Sequence, residues 1–228
     1  MSLVIAIDGP SGSGKSSVSK AVARALGVGY LDTGAMYRAL TWWCLEEGID
    51  LTDRDAVAQA ALVLPLEMGT DPADPRVSVA GKPVDAEIRT TELSSVVSTV
   101  ATNLDVREEM RRLQRALMAE ISQRTGGVVA EGRDITTVVA PDADVRILLT
   151  ASEEARLRRR SAELHGEASA SSIDATRDQI VRRDQEDSTV SVFTEAADGV
   201  VLVDTSDLDF EQSVAAVLAV VSAAQERE

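Results

Sequence analysis

The sequence predicts an α/β protein built on a parallel sheet, and two observations carry this prediction. Short aliphatic runs bounded by turn residues are typical of strands buried on both faces of a sheet, and they lie at residues 4–8, 29–32, 127–132, 144–150 and 199–205. Helical patterns lie between these runs, and such a β/α alternation indicates a parallel sheet flanked by helices. A chain of 228 residues, 44% of them hydrophobic, is long enough for one such domain with a sizeable core.

A glycine-rich loop follows the first predicted strand. Residues 9–16 fit the pattern G-x-x-x-x-G-K-S, and residues 17–26 predict a helix directly after them. In this context backbone N–H groups surround a phosphate, and the helix N-terminus adds partial positive charge. The sequence therefore predicts a phosphate-binding loop (P-loop) for a nucleoside triphosphate, rather than a turn that binds nothing. The residues expected to bind this nucleoside triphosphate are Gly9, Pro10, Ser11, Gly12, Ser13, Gly14, Lys15, Ser16 and Ser17.

Two side chains of this loop have predicted chemical roles. Lys15 is expected to reach the β- and γ-phosphates, and the Ser16 hydroxyl is expected to ligate Mg²⁺, partly through water. Both residues end the glycine-rich pattern and begin the predicted helix.

Residues 64–90 break the alternating pattern. This stretch holds four of the six prolines, and short alternating segments such as residues 76–79 meet turn signals such as residues 80–83. The pattern predicts a small antiparallel sheet inserted in the domain. Helical patterns follow at residues 91–102 and 105–124.

The last predicted helix begins after Asp209, which has the spacing of a capping box with Gln212. One face of this helix is expected to be buried, and it carries Phe210, Val214, Val217, Leu218 and Val221.

Arginines gather in residues 152–185, although acidic residues outnumber basic ones 38 to 23 over the whole chain. The acidic balance argues against nucleic acid or an anionic membrane as a partner. Two arginine-bearing helices joined by the tract 166–172 predict a lid that covers phosphates; the alternative is a solvated pair of charged helices. The arginines are Arg156, Arg158, Arg159, Arg160, Arg177, Arg182 and Arg183.

Two more segments follow predicted strands, at the sheet edge where parallel sheets bind ligands. Residues 32–38 (DTGAMYR) offer Arg38 for a phosphate and Tyr37 for a nucleoside pocket, or else form an ordinary helix start. Arg133 and Asp134 follow a glycine turn, and their alternative role is a local ion pair. Arginine clusters opposite a P-loop offset the repulsion between two anionic ligands. A phosphoryl transferase with a phosphorylated acceptor needs them, whereas a hydrolase of one nucleotide does not.

Other features exclude several classes. Cys44 is the only cysteine, so no intrachain disulfide forms, and its apolar surroundings favour packing over a nucleophilic role. His165 lies among polar residues, where a metal or catalytic role is not expected. The chain shows no basic leader and no apolar run of about 18 residues, which predicts a cytoplasmic protein outside the membrane.

Five blocks of the sequence resemble bacterial cytidylate kinases in order and spacing: residues 7–16, 31–38, 87–90, 131–135 and 182–189. The resemblance spans nearly the whole chain, and it implies a P-loop nucleoside monophosphate kinase that transfers the γ-phosphoryl group of ATP to CMP or dCMP. It also implies Mg²⁺ as cofactor and a cytoplasmic monomer of pyrimidine nucleotide metabolism. A kinase for a sugar, shikimate or another monophosphate remains an alternative. A nucleotide-binding switch is disfavoured because no N-K-x-D tetrapeptide is present.

The resemblance further implies how one domain, residues 1–228, is divided. Residues 33–110 form the monophosphate-binding region with its insert at 64–90, and residues 157–180 form the lid. In the implied CMP site, the base is contacted by Ser98, Arg107 and Asp134, the acceptor phosphate by Arg38 and Arg133, and the ribose by Tyr37, Arg183 and Asp187. Asp32 and Thr33 also belong to this site. The implied catalytic residues are Lys15, Arg133, Arg159 and Arg183.

Cytosine chemistry agrees with one of these roles, and one position departs from the family. A carboxylate at Asp134 suits the exocyclic amine of cytosine, whereas uracil presents an acceptor there and would be repelled. Val190 stands where many members carry an arginine that reaches the acceptor phosphate. Either another lid arginine replaces it or acceptor binding is weaker.

Overall fold

The structure, a computed structural model, describes residues 2–165, 177 and 182–226. In chain order the strands are β1 (Leu3–Asp8), β2 (Gly29–Asp32), β3 (Leu66–Met68), β4 (Val77–Val79), β5 (Lys82–Pro83), β6 (Gly127–Gly132), β7 (Val145–Thr150) and β8 (Val201–Asp204). The helices are α1 (Lys15–Leu26), α2 (Thr33–Glu46), α3 (Arg54–Leu62), α4 (Thr91–Ala101), α5 (Leu104–Thr125), α6 (Glu153–His165) and the C-terminal helix (Phe210–Gln225). Residues 182–188 form a short helical segment.

The main sheet confirms the predicted α/β architecture. Five parallel strands lie in the order β2-β6-β1-β7-β8. The central strand β1 pairs with β6 and β7, so that its last residue, Asp8, lies opposite Gly132 and Leu148. The loops that follow β1 and β6 therefore leave the sheet side by side at its carboxyl edge, where open α/β sheets bind ligands.

Helices cover both faces of the sheet, but β8 is less buried than predicted. One face packs on α1 and the C-terminal helix, and the other packs on α2, α3 and α5. In β8 only Val203 packs into this core, while Val201 and Leu202 are 39% and 55% exposed. The prediction of burial on both faces is therefore wrong for this edge strand, whose pairing leaves one side open to solvent.

The C-terminal helix confirms its predicted start and corrects its predicted face. Asp209 accepts from the backbone N–H of Gln212, and the Gln212 side chain accepts from that of Asp209, which completes the capping box. Val217 and Val221 are buried, but Phe210 is 49% exposed. Its place at the first helical residue leaves it beyond the sheet that covers the rest of that face.

The predicted insert is a three-stranded antiparallel sheet in the order β3-β4-β5. It packs against α2 and α4 through a cluster that includes Trp42, Val79 and Ile88. Helix α3 was not predicted. Its signals are Asp53, whose side chain caps it by accepting from Ala56 N, and three buried apolar residues at helical spacing, Val57, Ala60 and Ala61. In the described part of the chain, no helix is long and apolar enough to cross a bilayer.

Candidate active site

The loop between β1 and α1 has a backbone that only glycine allows at several positions. Gly12 and Gly14 adopt φ angles of 75° and 88°, in the left-handed region that disfavours side chains. A Cβ atom on Gly9 would lie 2.2 Å from the Leu149 carbonyl oxygen, and one on Gly12 would lie 2.7 Å from that of Arg156. The predicted P-loop is therefore closely packed against β7 and α6 from behind.

A cavity of about 450 Å³ lies in front of this loop, at the carboxyl edge of the main sheet. Most of the predicted site residues line it: Ser11, Gly12, Gly14, Lys15, Ser16, Ser17, Asp32, Thr33, Tyr37, Arg38, Arg107, Arg133, Asp134, Arg183 and Asp187. Arg160, one of the predicted lid arginines, lines it too, as do residues without a predicted role: Lys20, Gly34, Arg89, Val97, Ala101, Glu131, Gly132 and Ser191. The fold thus brings the predicted P-loop and the predicted phosphate-binding arginines to the same cavity.

Other predicted site residues do not line the cavity: Gly9, Pro10, Ser13, Ser98 and Arg159. Ser98 still lies close, because its hydroxyl donates to the Asp187 carboxylate at 3.1 Å. Arg159 is turned away, because it donates to the backbone carbonyls of Ser13, Thr205 and Leu208. These carbonyls hold its guanidinium behind the P-loop, so the catalytic role predicted for Arg159 has no support in this geometry.

Glu131 is a buried acid beside the P-loop that received no role from the sequence. The Ser16 hydroxyl donates to Glu131 Oε1 at 2.6 Å, and the Tyr30 hydroxyl donates to the same oxygen at 3.2 Å. Burial, and secondarily the charge of Asp32, raise the pKa of Glu131 to about 7. Burial also lowers the pKa of Lys15, while Glu131 opposes that shift. The sequence signal that could have indicated a role for Glu131 is that it is the one acidic residue in an otherwise aliphatic predicted strand.

These oxygen atoms fit a magnesium ion. Mg²⁺ takes oxygen ligands and is commonly held by one or two carboxylates together with substrate phosphates. The Ser16 hydroxyl and the carboxylates of Asp32 and Glu131 border the cavity beside the P-loop. Within the described residues, no cluster of three or more His, Cys, Asp or Glu side chains forms a metal site by itself. The donor set therefore suits an ion that takes further ligands from a phosphate.

On the far side of the cavity, Arg107 holds a polar group together. Its Nη2 donates to Asp134 Oδ2 at 2.6 Å and to the Ser191 hydroxyl at 2.8 Å, and its Nη1 donates to the Ala101 carbonyl. All three side chains are buried. Burial raises the pKa of Asp134, and Arg107 counteracts this shift. The site thus presents a carboxylate whose other oxygen is free of Arg107.

Three arginines that line the cavity lie close together, Arg38, Arg133 and Arg183. Arg133 contacts Asp187 and donates to Asp184 Oδ1 at 3.1 Å, and Arg183 Nε lies 3.6 Å from Asp187 Oδ2. Arg38 donates to the Ile88 carbonyl and the Ser94 hydroxyl. Burial and the neighbouring guanidinium groups lower the pKa of Arg38 and Arg183 to about 9. A bound phosphate would relieve this repulsion, so the cluster is suited to anions.

The chain that follows the helical segment 182–188, residues 190–193, packs beside the arginines of the cavity. Val190 is partly buried, and beyond it Ser191 and Phe193 are buried while Val192 is exposed. The Phe193 ring lies 4.8 Å below the guanidinium of Arg133, which is within cation–π range. The segment therefore supports two cavity arginines without adding a charge of its own.

Of the lid predicted at residues 157–180, the structure describes the part within α6 and residue 177, whereas residues 166–176 and 178–180 lie outside the described residues. The helical segment 182–188 holds the last of the clustered arginines. Arg160 and Arg183 of these helices line the cavity. Arg182 is exposed to solvent; it donates to the Ser95 carbonyl and pairs with Glu186.

Comparisons with known proteins agree on a family. A family model described as cytidylate kinase matches residues 5–223. A cytidylate kinase of Streptomyces avermitilis is 49% identical over 220 residues, which cover 96% of this chain and 92% of that protein. A cytidylate kinase of Rhodococcus opacus is 49% identical over 222 residues, with coverages of 97% and 95%. A solved structure of an uncharacterized protein from Eubacterium ventriosum aligns over 96% of this chain and 98% of that one, with a TM-score of 0.52 at 11% identity, and it shows the fold alone.

Proposed function

Because this chain belongs to the cytidylate kinase family, we propose how its cavity carries out the reaction of that family. The chain is a nucleoside monophosphate kinase that transfers the γ-phosphoryl group of ATP to CMP or dCMP. We divide the cavity into a donor subsite, the P-loop with Glu131, and an acceptor subsite, formed by Arg38, Arg107, Arg133, Asp134, Arg183 and Asp187. The observation that carries this division is one cavity with a P-loop on one side and crowded arginines on the other.

In the donor subsite, backbone N–H groups of the P-loop bind the ATP phosphates, and Lys15 contacts the β- and γ-phosphates. The positive φ angles of Gly12 and Gly14 support this role. Ser16 would hold Mg²⁺, with Glu131 and Asp32 near enough to bind its water ligands. When bound, the ion neutralises charge on the phosphates.

In the acceptor subsite, Arg38, Arg133 and Arg183 bind the phosphate of CMP. Asp134 accepts a hydrogen bond from the cytosine amine, and the ion pair with Arg107 fixes its orientation. Ser98 acts through Asp187, to which it donates, and Asp187 faces the sugar together with Tyr37. Asp32 caps α2 by accepting from Ala35 N, and with Thr33 it borders the site near the reacting phosphates.

Transfer of the phosphoryl group needs positioning more than covalent chemistry. An oxygen of the acceptor phosphate attacks the γ-phosphorus in line, and the bond from that phosphorus to the β-phosphate oxygen breaks. The acceptor oxygen is already ionised, so no general base is required. Lys15, Arg133 and Arg183 stabilise the negative charge of the transition state, and burial in the cavity excludes the water that would hydrolyse ATP.

A panel of acceptors tests this function. ADP formation is measured with ATP and CMP, dCMP, UMP, AMP, GMP, shikimate or gluconate as the second substrate. We expect CMP and dCMP to give the highest kcat/KM. A higher kcat/KM for another monophosphate, or for shikimate or gluconate, would overturn the assignment of the acceptor subsite.

We further propose that the enzyme acts as a monomer in the cytoplasm, where both nucleotides are available. Sedimentation of the purified chain tests the first statement, and a species of twice the 24.2 kDa chain mass would contradict it.

A further inference from the structure

The carboxylate of Asp184 receives hydrogen bonds from three separate parts of the chain. Its Oδ1 accepts from the Ser11 backbone N–H at 3.2 Å and from Arg133 Nη2 at 3.1 Å, and its Oδ2 accepts from Arg156 Nη1 at 2.5 Å. Asp184 lies in the helical segment 182–188 and does not line the cavity. Its charge thus joins the P-loop, the end of β6 and helix α6 without touching the space for substrates.

Arg156 strengthens this junction from the other side. The same Nη1 atom that donates to Asp184 also donates to the Ser11 carbonyl at 3.0 Å. Ser11 is therefore held at its N–H by Asp184 and at its carbonyl by Arg156. The side chains of Asp184, Arg133 and Arg156 are 13–14% exposed, and buried charges of this kind depend strongly on their partners.

Two of the groups held by Asp184 belong to different subsites. Ser11 is part of the P-loop in the donor subsite, and Arg133 is part of the acceptor subsite. We propose that Asp184 is a positioning residue that couples the two subsites, so that a nucleotide bound in one makes binding in the other more favourable. This inference rests on the function proposed above, because that function assigns the subsites.

The physical reason is shared ordering. A triphosphate on the P-loop fixes Ser11, Ser11 fixes Asp184, and Asp184 then holds Arg133 in its binding orientation. The acceptor nucleotide consequently binds to an Arg133 side chain that is already ordered, so its binding no longer carries the loss of conformational entropy. The coupling is reciprocal, because each ligand changes the affinity of the other by the same factor. An uncharged amide at position 184 keeps the shape but weakens the bonds to both arginines.

Calorimetric titration measures this coupling directly. The Kd of CMP is determined without and with saturating Mg²⁺ and AMP-PNP, a non-hydrolysable ATP analogue, for the wild type, Asp184→Asn, Arg156→Gln and the double variant. Glu186→Gln is the matched control, since Glu186 lies in the same helical segment and pairs only loosely with Arg182, at 3.8 Å. Thermal unfolding of every variant confirms that it is folded.

In the wild type and in Glu186→Gln, we expect AMP-PNP to tighten CMP binding by about tenfold, within the usual range of coupling between sites. In Asp184→Asn and in Arg156→Gln that factor should fall below about threefold, and the double variant should lose no more than the single ones, because both residues act through one junction. A residue that merely supports the fold would change the unfolding temperature and leave the factor intact.

Three results would overturn the inference: no coupling in the wild type, full coupling in both single variants, or an equal loss in Glu186→Gln. If Asp184→Asn does not fold, Arg156→Gln alone decides the question. Failure of the proposed function is recognised separately, because the acceptor panel would then give the wild type a higher kcat/KM for another acceptor than for CMP or dCMP.

Discussion

Apart from Glu131, the donor subsite comes from one short stretch of chain, the P-loop, whereas the acceptor subsite is assembled from helices α2 and α5, the end of β6 and the helical segment 182–188. In the first, glycine backbones with positive φ set the shape. In the second, side chains set it through contacts such as Arg107 with Asp134 and Ser191, which are 27 and 84 positions away. The comparison teaches that Lys15 is the main cationic side chain of the donor subsite, while recognition of the acceptor is shared among many side-chain contacts.

Removal of the Lys15 charge from the P-loop is the strongest test of this difference. We expect Lys15→Ala to lower kcat by about 10²–10³-fold, the usual cost of losing one group that stabilises transition-state charge. The fold should be retained, because the hydrogen bond that Lys15 Nζ donates to the Pro10 carbonyl is long, at 3.4 Å. The measurements are kcat in a coupled assay and the unfolding temperature.

Lys20→Ala is the matched control, because Lys20 lies on the same helix and also borders the cavity. It should retain most of the activity. A folded Lys15→Ala enzyme with near-normal kcat would remove Lys15 from the donor subsite.

The next largest effect concerns choice of base in the acceptor subsite. Asp134→Ala should lower kcat/KM for CMP much more than for UMP, since an unpaired buried amine costs about 1–3 kcal/mol, or roughly 5- to 150-fold. The variant also leaves Arg107 without its closest partner, so its unfolding temperature must be measured alongside. Equal losses on CMP and UMP would show that Asp134 does not read the base.

The same difference explains what the sequence could predict. Aliphatic runs and turn residues are local signals, so every strand of the main sheet, the proline-rich insert and the P-loop were predicted and confirmed. Glu131, Asp184 and Ser191 were not assigned roles, because their function depends on partners far away in the chain, as in the bond from Ser16 to Glu131 across 115 positions. Phe210 and β8 were misjudged because periodicity shows an apolar face but not where the opposing layer ends.

A smaller effect is expected from Phe193, and it tests whether several side chains share the binding of the acceptor. Phe193→Leu keeps an apolar side chain in a buried position but removes the ring beneath Arg133. A cation–π contact contributes about 0.5–2 kcal/mol, so we expect the KM for CMP to rise about two- to thirtyfold while the KM for ATP stays constant.

Phe210→Leu is the natural control, because Phe210 is the only other phenylalanine and is half exposed. It should leave both KM values unchanged. An equal rise in the KM for ATP with Phe193→Leu would indicate a general loss of packing instead of a role in orienting Arg133.

The smallest expected effect lies at Val190, where many family members carry an arginine. Arg38, Arg133, Arg160 and Arg183 already border the cavity. After the larger effect of burial, repulsion by the charges of Arg133 and Arg160 lowers the pKa of Arg183. A further guanidinium would increase this repulsion, so Val190→Arg should leave the KM for CMP within about twofold of the wild type or raise it. Titrations of CMP at two salt concentrations measure this. A several-fold, salt-sensitive fall in KM would mean that the acceptor subsite lacks a charge that its present arginines do not replace.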